Sequence, residues 1–358
     1  MTIVAPDTPI VIGVDTHKDA HVAVMLSALG ARLAELEFRT TAAGLASVQV
    51  WAGTHGRVLA WGVEGTGSWG AGLARSLRTA GEVVIEVNRP DRQVRRMLGG
   101  KSDPIDAEAA ARAVLAGHAS VIPKTGDGLI EMIRLTRSTR RSAVKACTAA
   151  MNQLRSHLVT APVALRDDLE GLTRGRLLAR CAGFRAAAAL DVANHTKRVL
   201  RGLARRVQAL DTEVRDLTRD LRQLTQTAAP ELLAQHGVGP DTAAALLTAA
   251  GDNPDRLRSE AAFAALCGAS PIPASSGKTD RHRLNRGGDR QANAALHRII
   301  VVRLKTDPET RAYMAAHLNP NASNKRHVMR CLKRYLARRL YPLILNAATT
   351  SQPTEIAA

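Results

Sequence analysis

Short apolar runs separated by charged or glycine-containing turns fill the first third of the chain. One run covers 9–14 and ends at Asp15, and the next covers 21–26. Their lengths and the polar turn between them predict a hairpin of two strands. The same patterns predict further strands at 32–39, 58–63 and 83–87 and helices at 42–52, 69–80 and 104–116.

This order of elements is compatible with a ribonuclease-H-like (RuvC-like) fold, in which helices cover a mixed sheet. The rest of the chain has mainly helical patterns, so the predicted fold class is α/β plus all-α. We divide the chain into an α/β domain at 1–125, a helical connector at 126–228, a mainly helical domain at 229–348 and a flexible tail at 349–358.

A heptad repeat marks the connector. Eight apolar residues alternate spacings of three and four without interruption: Leu200, Leu203, Val207, Leu210, Val214, Leu217, Leu221 and Leu224. Such a seam predicts either one helix of an ordinary helical core or a coiled-coil arm that pairs with another helix or another subunit. The unbroken run favours the arm, and Pro230 ends it.

Charge is unevenly distributed along the chain. There are 50 Lys and Arg against 32 Asp and Glu, a net charge of +18. Residues 1–110 hold 11 basic and 12 acidic side chains, so the remaining residues hold 39 and 20, a net charge of +19. The densest stretch, 278–339, has 16 basic and 4 acidic side chains. This surplus predicts contacts with nucleic-acid phosphates.

The side chains predicted to contact phosphate lie in that basic stretch: Lys278, Arg281, Arg283, Arg286, Arg290, Lys325, Arg326, Arg330, Lys333 and Arg334. Arginine predominates among them, which suits bidentate phosphate contacts. The chain has only three Phe, three Tyr and three Trp, so base stacking on aromatic rings is not expected to be how it holds nucleic acid.

A glycine-containing turn at 236–240 lies between two helical patterns. Gly237 and Gly239 there resemble the hairpin of a helix-hairpin-helix motif, in which glycine lets the backbone approach a phosphate. A plain turn between helices has the same composition, so both interpretations stay open.

Composition also excludes several classes of protein. The four cysteines form no CxxC pair, which argues against a disulfide framework and a structural zinc site. No apolar run approaches the length of a membrane-spanning helix, and the N-terminal residues do not resemble a secretory signal. We therefore expect a cytoplasmic protein without a membrane partner.

Four acidic residues stand where strands end or a helix begins. Asp15 and Glu64 each close a predicted strand, and Asp103 and Asp106 lie on one face at the start of a helix. In a ribonuclease-H-like sheet the first and fourth strands are neighbours, so these acids can converge. Their mutual repulsion is relieved by Mg²⁺ or Mn²⁺, which prefer oxygen ligands. The set predicts a metal site that acts on a phosphate, although each acid alone could cap a turn or a helix.

The segment around Asp15 permits a second interpretation. Asp15-Thr16-His17-Lys18 is similar to the first phosphate loop of actin-like sugar kinases, which share the same type of sheet. Those loops normally have glycine where His17 stands, so ATP binding is disfavoured.

Several motifs together resemble the DEDD-type, RuvC-like transposases of bacterial insertion sequences, a group that includes the Piv-type DNA invertases. The matching segments are 11–18, 63–69, 87–90, 101–107, 263–271, 275–278 and 284–289. Small departures are Gly65, where the family often has alanine, and Asn285-Arg286-Gly287-Gly288, where Ser-Lys-Arg-Gly is more usual. No acidic position is lost.

The resemblance implies more than the residues alone establish. It implies that Ser276 is the nucleophile that forms a phosphoserine bond with DNA, with Ser275 as the alternative. It also implies a structured guide RNA that pairs with donor and target DNA, and it supports assembly into a dimer or a tetramer. From composition alone, a Ser-Ser-Gly segment is more typical of an ordinary turn.

Two other functions stay open at this point. A metal-dependent nuclease that resolves Holliday-type junctions would use the same four acids with water as the attacking group. A non-enzymatic basic DNA-binding protein would leave the acids without a role. The composition explains DNA binding in either case but does not explain the four carboxylates.

Overall fold

The computed structural model describes residues 9–88, 102–185, 187, 189–277, 282–318 and 325–350. A hairpin opens the chain: β1 (Pro9–Thr16) runs antiparallel to β2 (Ala20–Ser27). The next strand, β3 (Arg32–Arg39), pairs antiparallel with the outer side of β2. The predicted hairpin and third strand are confirmed.

Two parallel strands complete the sheet on the other side of β1. They are β4 (Arg57–Glu64) and β5 (Val84–Val87), and the strand order is β3-β2-β1-β4-β5. Helices α1 (Ala42–Gly53), α2 (Ala71–Thr79) and α3 (Asp103–Leu115) follow in the predicted order. The mixed sheet with helices, followed by a mainly helical region, confirms the predicted fold class.

Alternation along β1 explains how both faces of the sheet are covered. Ile10, Ile12 and Val14 belong to a core cluster with residues of α1 and α2, including Val48 and Leu73. The intervening Val11 lies in a second cluster with Ala107 and Ala111 of α3. Side chains of a strand point alternately to the two faces, so α3 covers the face opposite to α1 and α2.

Two glycines allow α3 to lie directly on the sheet. Gly13 of β1 and Gly62 of β4 are neighbours in the parallel register. A Cβ atom at Gly13 would lie 2.0 Å from the carbonyl oxygen of Ala107, and one at Gly62 would lie 2.9 Å from that of Ala110. Only glycine permits this approach, which sets the position of the first turn of α3 relative to the strand ends.

Helices dominate the rest of the described chain. They are α4 (Leu129–Val159), α5 (Val163–Leu169), α6 (Arg174–Ala182), α7 (Val192–Ala228), α8 (Pro230–Leu233), α9 (Pro240–Ala250), α10 (Glu260–Leu266), α11 (Arg290–Thr306), α12 (Pro308–His317) and α13 (Lys325–Thr350). A short ribbon of β6 (Ile272–Pro273) and β7 (His282–Arg283) interrupts them. Within the ranges given above, no helix is both long and apolar enough to cross a bilayer.

The heptad seam packs within the chain. Leu200 and Val207 of α7 are buried in a cluster with Leu154 of α4 and Leu178 of α6. Arg140 Nε donates to Thr218 Oγ1 at 2.7 Å, and Cys147 Sγ lies 3.3 Å from Asp211 Oδ1. Cys147 lies seven residues after Arg140 in α4, and its partner Asp211 lies seven residues before Thr218 in α7. The two helices therefore pack antiparallel. The first four seam residues, Leu200, Leu203, Val207 and Leu210, thus have partners in their own chain, and pairing with another subunit stays a prediction.

Each of two compact units combines stretches that are distant in sequence. The first unit joins the residues up to Ile130 with Ala249–Gly288 and the residues from Ala337 onward. The second joins Glu131–Thr248 with Asp289–Leu336. The linear division into domains given above stays a prediction.

Candidate functional site

The ends of two parallel strands bring the first two acids together. Val14 of β1 pairs with Val63 of β4, and the next residues are Asp15 and Glu64. Thr16 Oγ1 donates a hydrogen bond to the carbonyl oxygen of Glu64 at 3.0 Å, which ties the two strand ends together. Because parallel strands end at the same edge of a sheet, both carboxylates emerge on that edge.

The first turn of α3 supplies the other two acids. Asp103 is the first residue of the helix, and Pro104 follows it within the first turn. Asp106 lies three residues later and is only 4% exposed, whereas the side chain of Asp103 is half exposed. The close packing of α3 on Gly13 therefore brings this turn to the strand ends.

The electrostatics of Asp15 show that the four acids form one cluster. Asp15 is 7% exposed. Burial raises the pKa of its carboxyl above 3.8; the charge of His17 opposes this rise, and the charges of Glu64, Asp106 and Asp103 add to it. The other three carboxylates thus lie close enough to Asp15 to act on it electrostatically, whereas metal binding by all four acids stays a prediction. We call them the acidic cluster.

His17 is a member of the site that the sequence reasoning did not identify. Its Nε2 lies 3.2 Å from Asp15 Oδ2 and 3.3 Å from Asp103 Oδ1. The backbone N–H of His17 donates to Nδ1 of the buried His21 at 3.2 Å, which anchors the turn after β1. One signal for it is present in the sequence, because His17 lies two residues from Asp15 in a polar turn, where the kinase comparison treats it only as a replacement for glycine.

These side chains fit a divalent cation. Asp15, His17 and Asp103 each offer one ligand atom, and the three atoms lie within 4.8 Å of one another. Carboxylate oxygens are the ligands that Mg²⁺ and Mn²⁺ prefer, and imidazole is compatible with Mn²⁺. The pKa of Asp15 is raised by burial and by like charges, and a bound cation would neutralise those charges. The donor set is therefore suited to the ion that the sequence predicts.

The serine loop belongs to the same compact unit as the acidic cluster. Ser275 and Ser276 are exposed and follow β6, in a ribbon where Ile272 pairs with Arg283 and Pro273 with His282. The unit that contains this ribbon also contains Asp15, Glu64, Asp103 and Asp106. Two predicted phosphate-binding residues of the loop, Lys278 and Arg281, lie outside the described residues.

A set of polar contacts attaches the segment before the serine loop to the edge of the sheet. Asp252, which is 2% exposed, accepts hydrogen bonds from the backbone N–H groups of Thr125 at 2.6 Å and Gly126 at 2.8 Å. Arg256 forms an ion pair with Glu86 of β5. Since β5 is the neighbour of the strand that ends at Glu64, these contacts connect two segments that are far apart in sequence.

The other predicted phosphate-binding side chains are mostly exposed. Those that are exposed are Arg283, Arg286, Arg290, Lys325, Arg326 and Arg330. Lys333 and Arg334 are partly buried, and Lys333 Nζ donates to Asn293 Oδ1 at 2.9 Å. Burial and the charge of Arg330 lower the pKa of Lys333. Lys333 therefore also has a structural contact between α11 and α13.

The glycine turn at 236–240 packs against α11. Gly237 has a φ angle of 79°, and a Cβ atom there would lie 3.1 Å from the carbonyl oxygen of Ile299. Arg303 Nε donates to the carbonyl oxygen of His236 at 2.9 Å. Gly237 is therefore explained by packing between helices, whereas the space beside Gly239 is open. A role for either glycine in phosphate binding stays a prediction.

Comparison with known protein families gives two matches. Residues 12–161 match a family model described as Transposase, of the DEDD type found in the insertion sequence IS110. Residues 229–315 match a family model described as Transposase IS116/IS110/IS902 family. The first match contains the acidic cluster and the second contains the serine loop. No curated protein matches the chain.

Proposed function

The chain belongs to the IS110-type transposases, which are DNA transposases, and we propose that it cuts and rejoins DNA strands through a phosphoserine intermediate at Ser276. Asp15, Glu64, Asp103 and Asp106 hold Mg²⁺ or Mn²⁺ beside the scissile phosphate. The nucleophile, the metal ions and the guide RNA described below are parts of this proposal.

One observation supports the proposal above the others. Burial, together with the like charges of the acidic cluster, raises the pKa of Asp15, and the segment that leads to Ser276 is attached to the same unit through Asp252 and Arg256. An acidic cluster without a cation is electrostatically unfavourable, and a basic DNA-binding protein has no need for one. A phosphate-cleaving metal site explains why these acids occur together in a chain whose remainder is strongly basic.

The chemistry is a transesterification. Ser276 Oγ attacks the phosphorus of a phosphodiester, an Oγ–P bond forms, and the bond from phosphorus to one sugar oxygen breaks. The serine proton ends on that sugar oxygen, which leaves as a hydroxyl. In the second step a strand-end hydroxyl attacks the phosphoserine and regenerates the serine. Each step exchanges one phosphate ester for another, so no external energy source is needed.

Divalent ions at the acidic cluster would polarise the phosphate and stabilise the attacking and leaving oxygens. Around them, the protein side chains have separate tasks. Asp15 and Glu64 are fixed by the strand ends, and Asp103 and Asp106 by the first turn of α3. Arg283 and Arg286, which are exposed next to the serine loop, contact the flanking phosphates and hold the strand in place.

A structured guide RNA and a second subunit complete the proposal. The net charge of +19 over residues 111–358 favours contacts with the phosphates of RNA as well as of DNA. The guide pairs with donor and target DNA and selects the sites that are cut. A dimer or tetramer supplies one serine for each strand that is exchanged.

The decisive experiment traps the covalent intermediate. Full-length protein is incubated with Mg²⁺, with RNA transcribed from the DNA that flanks its gene and with the matching DNA junctions, and the products are separated under denaturing conditions. Wild-type protein should give a protein–DNA adduct, and Ser276→Ala should give none. Ser275→Ala is the matched control, since it removes an equivalent hydroxyl one residue away, and it should keep the adduct.

The other outcomes identify the competing functions. An adduct that survives in Ser276→Ala and disappears in Ser275→Ala would move the nucleophile to Ser275. Free 3′-hydroxyl and 5′-phosphate ends without any adduct would indicate a nuclease that uses water. If omission of the RNA leaves adduct yield unchanged, the guide is not part of the cleavage step.

A further inference from the structure

Three arginines from two distant helices converge on one carboxylate in the second compact unit. Arg298 Nη1 of α11 lies 3.0 Å from Asp241 Oδ2. From α4, Arg137 Nε and Arg140 Nη1 each lie 3.5 Å from Asp241 Oδ1. We call these three side chains together with Asp241 the arginine cluster. Arg298 lies within the basic stretch 278–339, but none of the three arginines is among the side chains predicted above to contact phosphate.

The arginines at the base of the cluster are held rigidly. The Arg137 side chain is 10% exposed, and its Nε donates to the backbone carbonyl of Asp241 at 3.2 Å. Arg140 is anchored by its Nε, which donates to Thr218 Oγ1 at 2.7 Å. Arg298 differs, because its side chain is 64% exposed. The side chains of Arg137 and Arg140 are therefore held by contacts inside the protein, whereas the side chain of Arg298 is exposed to solvent.

Positive charge exceeds negative charge in this place. Three guanidiniums and one carboxylate leave a charge of +2. Arg141 and Asp289 also act on Arg137, but their opposite charges cancel, so the net charge remains +2. Asp289 is also committed elsewhere, since its Oδ1 accepts hydrogen bonds from the N–H groups of Gln291 and Ala292 at the start of α11.

Burial lowers the pKa of Arg137, and the positive charges of Arg141 and Arg298 lower it further, while Asp241 and Asp289 oppose this effect. Burial and like charges both disfavour the charged form of this guanidinium, as burial and like charges do for the carboxyl of Asp15. An additional anion relieves the repulsion. Guanidinium groups match the geometry of a phosphate, to which they can donate two parallel hydrogen bonds.

We propose that Arg137, Arg140 and Arg298 form a contact site for one backbone phosphate of the nucleic acid that this transposase binds. Asp241 orients the three side chains and competes with the phosphate for them. The proposal rests on the proposed function only in that the protein binds nucleic acid; it does not depend on the serine chemistry. DNA and RNA share the phosphodiester, so separate probes must distinguish the two.

The test compares charge changes inside and outside the cluster. Full-length variants are titrated into a fluorescent DNA duplex and, separately, into a fluorescent RNA hairpin, each over a series of salt concentrations and without divalent ions. Arg298→Gln removes the exposed guanidinium, and Asp241→Asn removes the competing carboxylate. Asp168→Asn is the matched control, because Asp168 lies in the same unit and pairs with the single arginine Arg180.

Opposite effects are expected from the two cluster variants. Arg298→Gln should weaken binding about fivefold and reduce the log–log salt slope by about 0.9 for the DNA duplex. The affinity of Asp241→Asn for the probe should be about three times that of the control Asp168→Asn. A change confined to one probe identifies the nucleic acid at this site.

A purely structural ion-pair network predicts a different pattern. In that case Arg298→Gln keeps the wild-type salt slope, and Asp241→Asn binds the probes as Asp168→Asn does. Both cluster variants then have a lower melting temperature than the wild-type protein. This pattern would overturn the proposal. Arg298→Lys guards against a folding artefact, because it keeps the charge and should restore most of the affinity. If no covalent adduct forms but Arg298→Gln still weakens binding, the serine chemistry fails and the phosphate site stands.

Discussion

The acidic cluster and the arginine cluster both concentrate like charge, but they are built in different ways. Backbone positions fix the acids, since Asp15 and Glu64 end paired strands and Asp103 opens α3. Long side chains build the arginine cluster, because Arg137 and Arg298 reach Asp241 from separate helices. Short side chains on rigid elements suit a metal ion, which requires exact distances. Longer side chains suit a phosphate backbone, which differs in position from one substrate to the next.

In each cluster the surroundings of one charged side chain disfavour its charged form. Burial, together with neighbouring like charges, raises the pKa of Asp15 and lowers the pKa of Arg137. A group of like charges costs free energy in the folded protein unless an opposite charge is present. The two regions therefore have opposite requirements, a cation at the sheet and an anion at the helices.

The largest expected effect comes from removing a charge of the acidic cluster. Asp15→Asn should lower the rate of DNA strand cleavage about a thousandfold, as removal of one key electrostatic group does in other enzymes. The melting temperature without divalent ions should not fall, because the change relieves repulsion around a buried carboxylate. Rate and melting curves on the same protein batch separate these effects.

The control for this variant is Asp19→Asn, which neutralises an exposed acid four residues away in the turn after β1. Its cleavage rate should remain close to that of the wild-type protein. Undiminished DNA rearrangement in Asp15→Asn would leave the acidic cluster without a catalytic role and would favour a non-enzymatic DNA-binding protein.

The next effect in size tests the backbone contact that positions the acids. Gly13→Ala places a methyl group where the Ala107 carbonyl oxygen lies 2.0 Å away, so α3 must move off the sheet. We expect a loss of about 3 kcal/mol in the free energy of unfolding. Denaturant unfolding measures the loss, and cleavage should fall with it because Asp103 and Asp106 move with the helix.

Gly53→Ala is the matched control for the glycine variant. Gly53 ends α1, and no atom lies within 4 Å of the position that its Cβ would occupy. Alanine favours helix over glycine, so stability should stay the same or rise by about 0.5 kcal/mol. Equal losses in the two variants would show that the close approach of α3 does not determine the position of the acids.

The sequence predicted the sheet and the acidic cluster because both depend on local patterns. Asp15 and Glu64 stand at the ends of apolar runs, and neighbouring parallel strands end at the same edge. His17 was missed because no rule of spacing distinguishes a histidine that contacts two carboxylates from one in an ordinary turn.

Contacts between distant segments could not be predicted. Asp252 binds backbone N–H groups more than 120 residues away, and Arg137 meets Asp241 across a separation of 104 residues. Such pairs leave no periodicity in the sequence. The heptad seam was recognised, but its partner was not, because a seam specifies an apolar face and does not specify which helix covers it.

A core variant in the seam compares these two interpretations directly. Leu221 of α7 is 1% exposed, so Leu221→Ala should lower the free energy of unfolding by about 2.5 kcal/mol. If the seam packs within one chain, the loss is independent of protein concentration. The neighbouring Gln223 is exposed, and Gln223→Ala should leave stability within about 0.5 kcal/mol of wild type. A loss that disappears at high protein concentration would mean that the seam joins subunits.

The smallest effect is a difference in pH dependence between a crowded acid and a paired acid. The folded pKa of Asp15 is raised above 3.8, chiefly by burial, so its ionised form costs stability above that raised pKa. This cost in stability disappears as the pH falls through the raised pKa of Asp15. The folded pKa of Asp211 is lowered below 3.8, chiefly by the hydrogen bond from Arg174, so its ionised form adds stability above 3.8. That gain is lost as the pH falls through the lowered pKa.

Unfolding of the metal-free protein in a chelator, at pH 7 and at roughly pH 4, should therefore give differences of opposite sign. At pH 7, Asp15→Asn should be more stable than wild type by about 1 kcal/mol. Asp211→Asn should be less stable by about 0.5 kcal/mol, a small value because solvent screens the partly exposed pair. The Asp15 difference should shrink at roughly pH 4, whereas the Asp211 difference should persist there, because that pH still lies above the lowered pKa of Asp211. Differences of the same sign would contradict the contrast between the crowded acids of the sheet and the paired acids of the helices.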